Sequence, residues 1–168
     1  MINKSIMHQT GTFHFHKGHY LSTNVEDSLR QVENENFANI KCEEDDATDY
    51  LYTQATIFLR GSCNLFALAL NDEFGYTVYE VKDYMGRLTH VFCKSTYHGQ
   101  DVYIDVRGVT TDISECLSEF SYRLLKGYSI VTYDIEEDRE LENEGDETGY
   151  QFAQAVVRKY KKYYDSSL

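Results

Sequence analysis

The sequence predicts an α+β fold in one domain spanning residues 1–168, with a buried helix packed on a small antiparallel sheet and other helices at the periphery. The run from Leu65 to Leu70 is apolar at every position and has no β-branched residue, which favours a helix buried on all sides. Three strand-like runs follow it, separated by glycine-containing turns. At 168 residues the chain is long enough to bury a continuous core without disulfides or metal ions.

Net charge limits the partners that we expect. The chain has 16 Lys and Arg residues against 28 Asp and Glu residues, which gives a formal net charge of −12. This charge argues against direct nucleic-acid binding, because contacts with phosphate groups require basic clusters. The charge suits a protein that binds a basic partner, or a protein that itself imitates nucleic acid. In most acidic proteins, however, the charge serves only to keep the protein soluble.

The cysteines and the lack of long apolar segments predict a cytoplasmic protein. No run of 18 or more apolar residues is present, and residues 1–6 lack the apolar segment of a signal peptide. The cysteines at positions 42, 63, 93 and 116 form no CxxC pair and no zinc-ligand spacing. We therefore expect free thiols, a reducing compartment and no contact with a membrane.

Three histidines near the start of the chain raise the question of a metal site. Alternation of apolar and polar residues predicts a strand over Thr12–His16, and alternate residues of a strand share one face. His14, His16 and His19 therefore lie close together, but no Cys or acidic ligand is near them. A solvent-facing edge strand explains these histidines better, and we expect no metal.

Two further elements lead to the buried helix. Thr23–Glu26 is a capping box that opens an amphipathic helix. Residues 43–49 contain five carboxylates and predict a solvated loop or an anionic contact surface. Residues 49–59 then form a second helix or an extended arm that delivers the chain to Gly61.

Cys63 stands at the start of the buried helix. Gly61 interrupts the preceding segment and Ser62 is a favourable N-cap, so Cys63 is predicted to be the first helical residue. The unpaired N–H groups and the positive end of the helix dipole favour thiolate over thiol at that position. Cys63 is therefore a candidate nucleophile, although a buried cysteine is more often simply a small apolar side chain.

The second half of the chain alternates strands and helices. Three strands of an antiparallel meander are predicted over residues 76–81, 89–93 and 101–106. Asp112 and Glu115 open a helix that reaches Leu124, and a strand follows over residues 128–133. Residues 134–147 carry nine acidic residues and predict a flexible loop before a last helix, which starts at Thr148 or Gly149 and ends near residue 164. The catalytic-like core then covers residues 57–133.

Cys63, His90 and Asp105 follow one another in an order that suits nucleophilic catalysis. A helix, a hairpin and one more strand fill the intervals between them. Neighbouring antiparallel strands lie about 4.8 Å apart, so His90 and Asp105 can sit side by side on one sheet face. The imidazole then takes the thiol proton, the carboxylate orients the ring, and N–H groups at the helix start, including that of Cys63, stabilise an oxyanion.

This arrangement resembles the papain-like cysteine hydrolases, and more narrowly their transglutaminase-like and NlpC/P60-like branches. The motifs are Gly61-Ser62-Cys63-Asn64-Leu65-Phe66-Ala67, Thr89-His90-Val91-Phe92 and Tyr103-Ile104-Asp105-Val106-Arg107-Gly108, so the resemblance covers roughly residues 57–110. Papain itself has a Gln before the nucleophile, where this chain has Ile57, and a Trp beside it, where this chain has Asn64. Gln54 is the nearest candidate for a side-chain oxyanion donor.

The resemblance implies a cysteine hydrolase or acyl transferase that acts on an amide bond of a protein or peptide, as a protease, amidase, deamidase or transglutaminase does. Cys63 is the implied nucleophile, His90 the base and then the acid, and Asp105 the orienting carboxylate; no cofactor is implied. Arg107 either balances Asp105 or binds a substrate carboxylate. Cys93 falls on the opposite sheet face from His90 by alternation, so a second thiol in the site is not expected.

A second hypothesis is a non-catalytic acidic interaction protein. The acidic runs over residues 43–49 and 134–147 suggest an inhibitor from a phage or mobile element that presents carboxylates to a nucleic-acid-binding partner. Neutralising these runs would then abolish function, whereas Cys63→Ala would leave it intact.

Overall fold

The structure, a computed structural model, describes residues 55–167, except for the side chains of Lys162 and Tyr163. The predicted strand over Thr12–His16, the helix from Thr23, the acidic run over 43–49 and Cys42 all lie outside this range. Within it, helices pack on a five-stranded antiparallel sheet, so the α+β class is confirmed.

The buried helix is present as predicted. Helix α1 spans Ala55–Leu59, and helix α2 begins at Cys63 and ends at Phe74. Cys63 and every residue from Leu65 to Leu70 are buried. Ser62 occupies the cap position, but its side chain makes no capping hydrogen bond. Helix α2 is therefore stabilised by the packing of its apolar side chains in the core rather than by a strong cap.

The sheet contains the predicted meander, the strand predicted over residues 128–133 and one strand that was not predicted. The strands are β1 (Thr77–Asp83), β2 (Leu88–Tyr97), β3 (Gln100–Asp105), β4 (Gly108–Thr110) and β5 (Tyr128–Thr132), in the spatial order β4-β3-β2-β1-β5. His98 and Gly99, with φ of 49° and 76°, make the two-residue turn between β2 and β3. The three-residue strand β4, which pairs with β3, was not predicted because a run so short leaves no periodic signal.

A β-bulge interrupts the pairing of β1 with β2 beside His90. Val81 pairs with His90, but the next residue, Lys82, pairs with Leu88, so Thr89 is the extra residue. A bulge bends its strand and redirects the side chains around it. Here the bulge lies next to His90 and so affects the direction of the His90 side chain.

The helix predicted from Asp112 to Leu124 is instead broken into three pieces. They are α3 (Ile113–Leu117), a 3₁₀ turn (Ser118–Phe120) and α4 (Ser121–Leu124). Asp112 caps α3 as predicted, because its side chain accepts a hydrogen bond from the Ser114 N–H. The break lets this segment follow the sheet and brings Phe120 against the His90 ring, at 4.6 Å between centroids.

The acidic segment over residues 134–147 contains helical structure, and the last helix starts earlier than predicted. A 3₁₀ helix spans Ile135–Glu140, and α5 spans Glu144–Lys159 rather than beginning at Thr148 or Gly149. The side chain of Asn143 caps α5 by accepting from the Asp146 N–H at 2.9 Å. Carboxylates in the first turn favour this earlier start, because they lie at the positive end of the helix dipole. The short helix α6 (Lys161–Tyr164) follows.

The core forms where α2 contacts both the sheet and α5. Phe58 of α1 stacks on Phe152 of α5, and Phe66 of α2 meets the ring of Tyr164 edge-on. The Tyr164 hydroxyl donates to the Val106 carbonyl, which ties the end of the chain to the region after β3. Among residues 55–167, no helix is both long enough and apolar enough to cross a membrane.

Candidate active site

Cys63 lies where the start of α2 meets strand β2. The residue is 8% exposed, and its sulfur accepts a hydrogen bond from the Val91 N–H at 3.4 Å. The N–H of Asn64, in the first turn of α2, also favours the charged sulfur. Two backbone donors therefore converge on Sγ, which is the environment that stabilises a thiolate.

His90 and Asp105 form a buried pair on adjacent strands. The Nε2 atom of His90 lies 3.0 Å from Oδ2 of Asp105. Asp105 follows Ile104, which pairs with Cys93, so the carboxylate reaches the sheet face shared by Phe92 and His90. His90 and Asp105 therefore lie side by side, as predicted from the strand spacing.

The second ring nitrogen of His90 is the atom available to the thiol. Nδ1 is buried, and within residues 55–167 it makes no hydrogen bond of normal geometry. Cys63 nevertheless lies close enough for its thiol and the imidazole to shift each other's pKa. With Nε2–H donating to Asp105, Nδ1 keeps its lone pair and is the ring nitrogen that a proton from the thiol would reach. Loose alignment of such pairs is common in unliganded sites.

The electrostatics favour a thiolate and an imidazolium. Burial alone would raise the pKa of the Cys63 thiol, but His90 and the backbone N–H groups outweigh burial and lower it. Burial alone would lower the pKa of His90, but Asp105 and Cys63 outweigh burial and raise it. Opposite shifts in the two partners move the proton from sulfur to the ring.

Arg107 holds Asp105 in its ionised state. Its side chain is 0% exposed, and its Nη2 lies 2.5 Å from Asp105 Oδ2. The Arg107 N–H also donates to Oδ1 at 2.9 Å, while Nη2 donates to the Cys116 carbonyl at 2.8 Å. Burial alone would raise the pKa of Asp105, but Arg107 and His90 hold it well below its usual range.

Of the two roles that the sequence left open for Arg107, the contacts support the balance of Asp105. A guanidinium buried at 0% exposure and bonded to Asp105 does not present itself to a substrate. The sequence signal was the Asp-x-Arg spacing, which is weak because Arg107 lies just beyond the end of β3.

Phe120 and Tyr133 complete the surroundings, and sequence reasoning missed both. Phe120 stacks on the His90 imidazole with an interplanar angle of 27°. Burial raises the pKa of Tyr133, and Asp138 and the charge of Cys63 raise it further, so this phenol stays protonated beside the thiol. Both residues lie far from the triad in sequence, in segments that lack a motif.

The other described cysteines occupy structural positions. Cys93 Sγ donates to the Ala67 carbonyl of α2 at 3.5 Å, and burial raises the pKa of its thiol strongly. Cys116 is buried, and its carbonyl accepts from Arg107. His98 is exposed in the β2–β3 turn, where its ring contacts Tyr97. Of these residues, none has the combination of a helix start and a buried imidazole that Cys63 has.

A metal centre is not indicated in the described range. No group of three His, Cys, Asp or Glu side chains between residues 55 and 167 is arranged to hold a metal ion. His14, His16 and His19 lie outside that range.

Comparisons of the chain with protein-family models, with curated proteins and with solved structures find no match. The chemical interpretation of the site therefore rests on the geometry of Cys63, His90, Asp105 and Arg107 alone.

Proposed function

We propose that the protein is a cysteine hydrolase or acyl transferase that acts on an amide bond of a protein or peptide. The observation that carries this proposal is the His90 imidazole, which is fixed through Nε2 by Asp105 and keeps, beside the Cys63 thiol, a buried Nδ1 that has no hydrogen-bond partner among residues 55–167. A buried histidine with a purely structural role normally has hydrogen bonds at both ring nitrogens, so this arrangement favours a chemical role.

The first half of the reaction forms a thioester. His90 Nδ1 takes the proton of Cys63, and Sγ attacks the acyl carbon as the carbonyl electron pair moves to oxygen. N–H groups at the start of α2, a twelve-residue helix, then stabilise that oxyanion. The intermediate then collapses, the C–N bond breaks, and the leaving nitrogen takes the proton from the His90 imidazolium.

The second half releases the acyl group. Water, for a hydrolase, or an amine, for a transferase, gives its proton to His90 as it attacks the thioester carbon. The C–S bond breaks and the Cys63 thiolate is restored. Asp105 stays ionised throughout, because Arg107 and His90 stabilise its charge, and it orients the ring that carries the proton.

The placement of these residues supports the papain-like part of the proposal. The nucleophile begins a buried helix, the histidine lies on a strand that contacts this helix, and the carboxylate ends the adjoining strand. That is the order of elements in papain-like hydrolases, including the transglutaminase-like and NlpC/P60-like branches. Free thiols at Cys63, Cys93 and Cys116 suit the reducing cytoplasm in which we place the protein.

The test is formation of an acyl-enzyme. We expect p-nitrophenyl acetate to acetylate Cys63, with the adduct located by peptide mass spectrometry and lost in His90→Ala. Cys93→Ala is the matched control and should acetylate normally, because Cys93 packs against Ala67 rather than beside the imidazole. Equal acetylation of several cysteines, or none, contradicts the proposal.

A second candidate, the non-catalytic acidic interaction protein, is favoured by one observation. Glu136, Glu137 and Glu140 are exposed on an ordered 3₁₀ helix rather than on a loose loop. An ordered row of carboxylates is a suitable contact surface for a basic protein, including one that a phage or mobile element would inhibit. For this candidate, binding of an oligolysine probe falls when the three glutamates are changed to Gln and persists in Cys63→Ala.

A further inference from the structure

A groove on the surface is built from two segments that are separate in sequence. The turn between β1 and β2 supplies Tyr84 and Arg87, and the stretch from α4 onward supplies Tyr122, Arg123, Leu125 and Lys126. The groove has a volume of about 460 Å³. A space of this size holds a few side chains of a docked peptide.

The charge of this groove is opposite to that of the whole chain. Three of its six lining residues are Arg or Lys and none is acidic, in a protein of net charge −12. Arg87 is partly neutralised, because its Nε bonds to Asp83 at 2.8 Å. Arg123 and Lys126 form no ion pair with any residue in the range 55–167. Within residues 55–167, the groove therefore carries uncompensated positive charge.

The remaining lining residues are apolar or aromatic and unusually exposed. Tyr122 is 87% exposed, Leu125 76% and Tyr84 53%. Exposed apolar side chains that cluster on a surface mark interaction sites. Lys126 lies with its Nζ 5.1 Å from the centroid of the Tyr84 ring, a cation–π contact between the two walls of the groove. The groove thus combines apolar contact area with fixed cations.

The wall formed by the β1–β2 turn is held by hydrogen bonds to one side chain, that of Asp83. The buried carboxylate of Asp83 accepts hydrogen bonds from the Met85 N–H at 2.9 Å and the Arg87 N–H at 3.0 Å. It also accepts from Arg87 Nε, so one residue fixes both the turn and the direction of the guanidinium. Preorganised groups lose less entropy when a ligand docks.

Both walls of the groove are close in sequence to residues at the His90 site. Arg87 precedes β2, the strand on which His90 lies, and Tyr122 follows Phe120, whose ring stacks on the His90 imidazole. A ligand in the groove therefore contacts the two segments that enclose the catalytic base. We propose that this groove binds an acidic, aromatic-containing segment of the peptide substrate, an inference that rests on the proposed function.

A peptide suits the groove better than a nucleic acid. A long polyanion would experience repulsion from the 28 acidic residues of the chain, whereas a short acidic segment experiences mainly the local cations. The tyrosines and Leu125 offer contact area to an aromatic side chain between the carboxylates.

The experiment measures binding without catalysis. The probe is a fluorescein-labelled peptide, Gly-Glu-Tyr-Glu-Gly, added to the full chain carrying Cys63→Ala and followed by fluorescence anisotropy. We expect saturable binding that weakens with added salt, and at least about tenfold weaker binding for the matched peptide with Gln in place of Glu. Binding of both peptides with equal strength overturns the proposal.

Paired variants locate the site. Arg123→Gln with Lys126→Gln should weaken binding by about tenfold. The control is Arg158→Gln with Lys159→Gln, because it removes the same charges from exposed positions on α5, where Lys159 also lies over a tyrosine ring. Equal losses for the two pairs, or tighter binding of an oligothymidine that displaces the peptide, overturn the proposal. Because the probe is read on Cys63→Ala, failure of acyl-enzyme formation does not affect this result.

Discussion

His90 Nε2 lies 3.0 Å from Asp105 Oδ2, and this single contact determines which ring nitrogen is left for Cys63. The contact commits the Nε2 proton to an ionised carboxylate and leaves Nδ1 as the nitrogen that acts as the base in the proposed reaction. Arg107 reinforces the assignment, because its guanidinium bonds to both oxygens of the carboxylate and keeps Asp105 ionised. The charges of the four residues are coupled, so replacing His90, Asp105 or Arg107 should change the pKa of the Cys63 thiol.

Asp105→Asn should lower acyl transfer by about a thousandfold. The amide retains the shape of the side chain but no longer stabilises an imidazolium, so the pKa of Cys63 should rise toward that of an ordinary thiol. Both effects are measurable, the first by acetylation rate and the second by the ultraviolet absorbance of the thiolate. Asp101→Asn, on the same strand but exposed, is the control and should change neither.

Arg107→Met should destabilise the fold by about 3–5 kcal/mol, because it leaves the buried Asp105 carboxylate without its cation. Urea denaturation measures the difference. Adding Asp105→Leu to Arg107→Met should recover much of this loss, since the buried carboxylate that lacked its arginine is also removed. A loss below about 1 kcal/mol for the single change contradicts the pairing that the contacts indicate.

Acid should destabilise the protein through Asp105. Its pKa is depressed in the folded state, so its contribution is fully present above the unfolded pKa of about 3.9. The contribution decreases as pH falls below that value toward the folded pKa. We expect the free energy of unfolding to fall steeply with pH in this window and less steeply in Asp105→Asn, as measured by urea denaturation at each pH. Identical slopes would show that Asp105 is not the linked group.

Asn143→Ala should cost about 1 kcal/mol of stability. The side chain of Asn143 caps α5 by accepting from the Asp146 N–H, which its removal leaves unpaired. Thermal denaturation compared with Glu142→Ala, an exposed neighbour outside the cap, isolates the effect. If the helix instead began at Thr148, Asn143→Ala would behave like Glu142→Ala.

The features that could be predicted are those with a local pattern. The continuous apolar run from Leu65 to Leu70 identified the buried helix, and glycine turns between alternating runs identified the meander. His90 and Asp105 were placed side by side by strand spacing, because antiparallel neighbours are separated by a known distance. Cys63 was added on the expectation that the start of the buried helix packs against the same part of the sheet. The helix and the meander are each specified by signals within a few residues of the element itself.

The features that were missed depend on contacts between distant segments. Phe120 reaches His90 because the segment after Asp112 breaks into short helices over the sheet. The bulge at Thr89 belongs to a pair of strands and not to either one alone. The start of α5 is the exception: it was misplaced because the acidic composition was interpreted as a flexible loop, although its Asn143 cap is local. Tertiary contacts decided the first two, and sequence periodicity does not record them.

The measurement that tests the central claim most directly is the pH dependence of alkylation of each cysteine by iodoacetamide, read by mass spectrometry on the native protein and on His90→Ala. The thiolate–imidazolium pair predicts that Cys63 alone reacts quickly well below the ordinary thiol pKa of about 8.5, and that His90→Ala moves this reactivity to higher pH. Cys93, whose pKa burial raises, is the internal reference and should stay inert. A Cys63 that reacts no faster than Cys93 and Cys116, or that is indifferent to His90→Ala, contradicts the account.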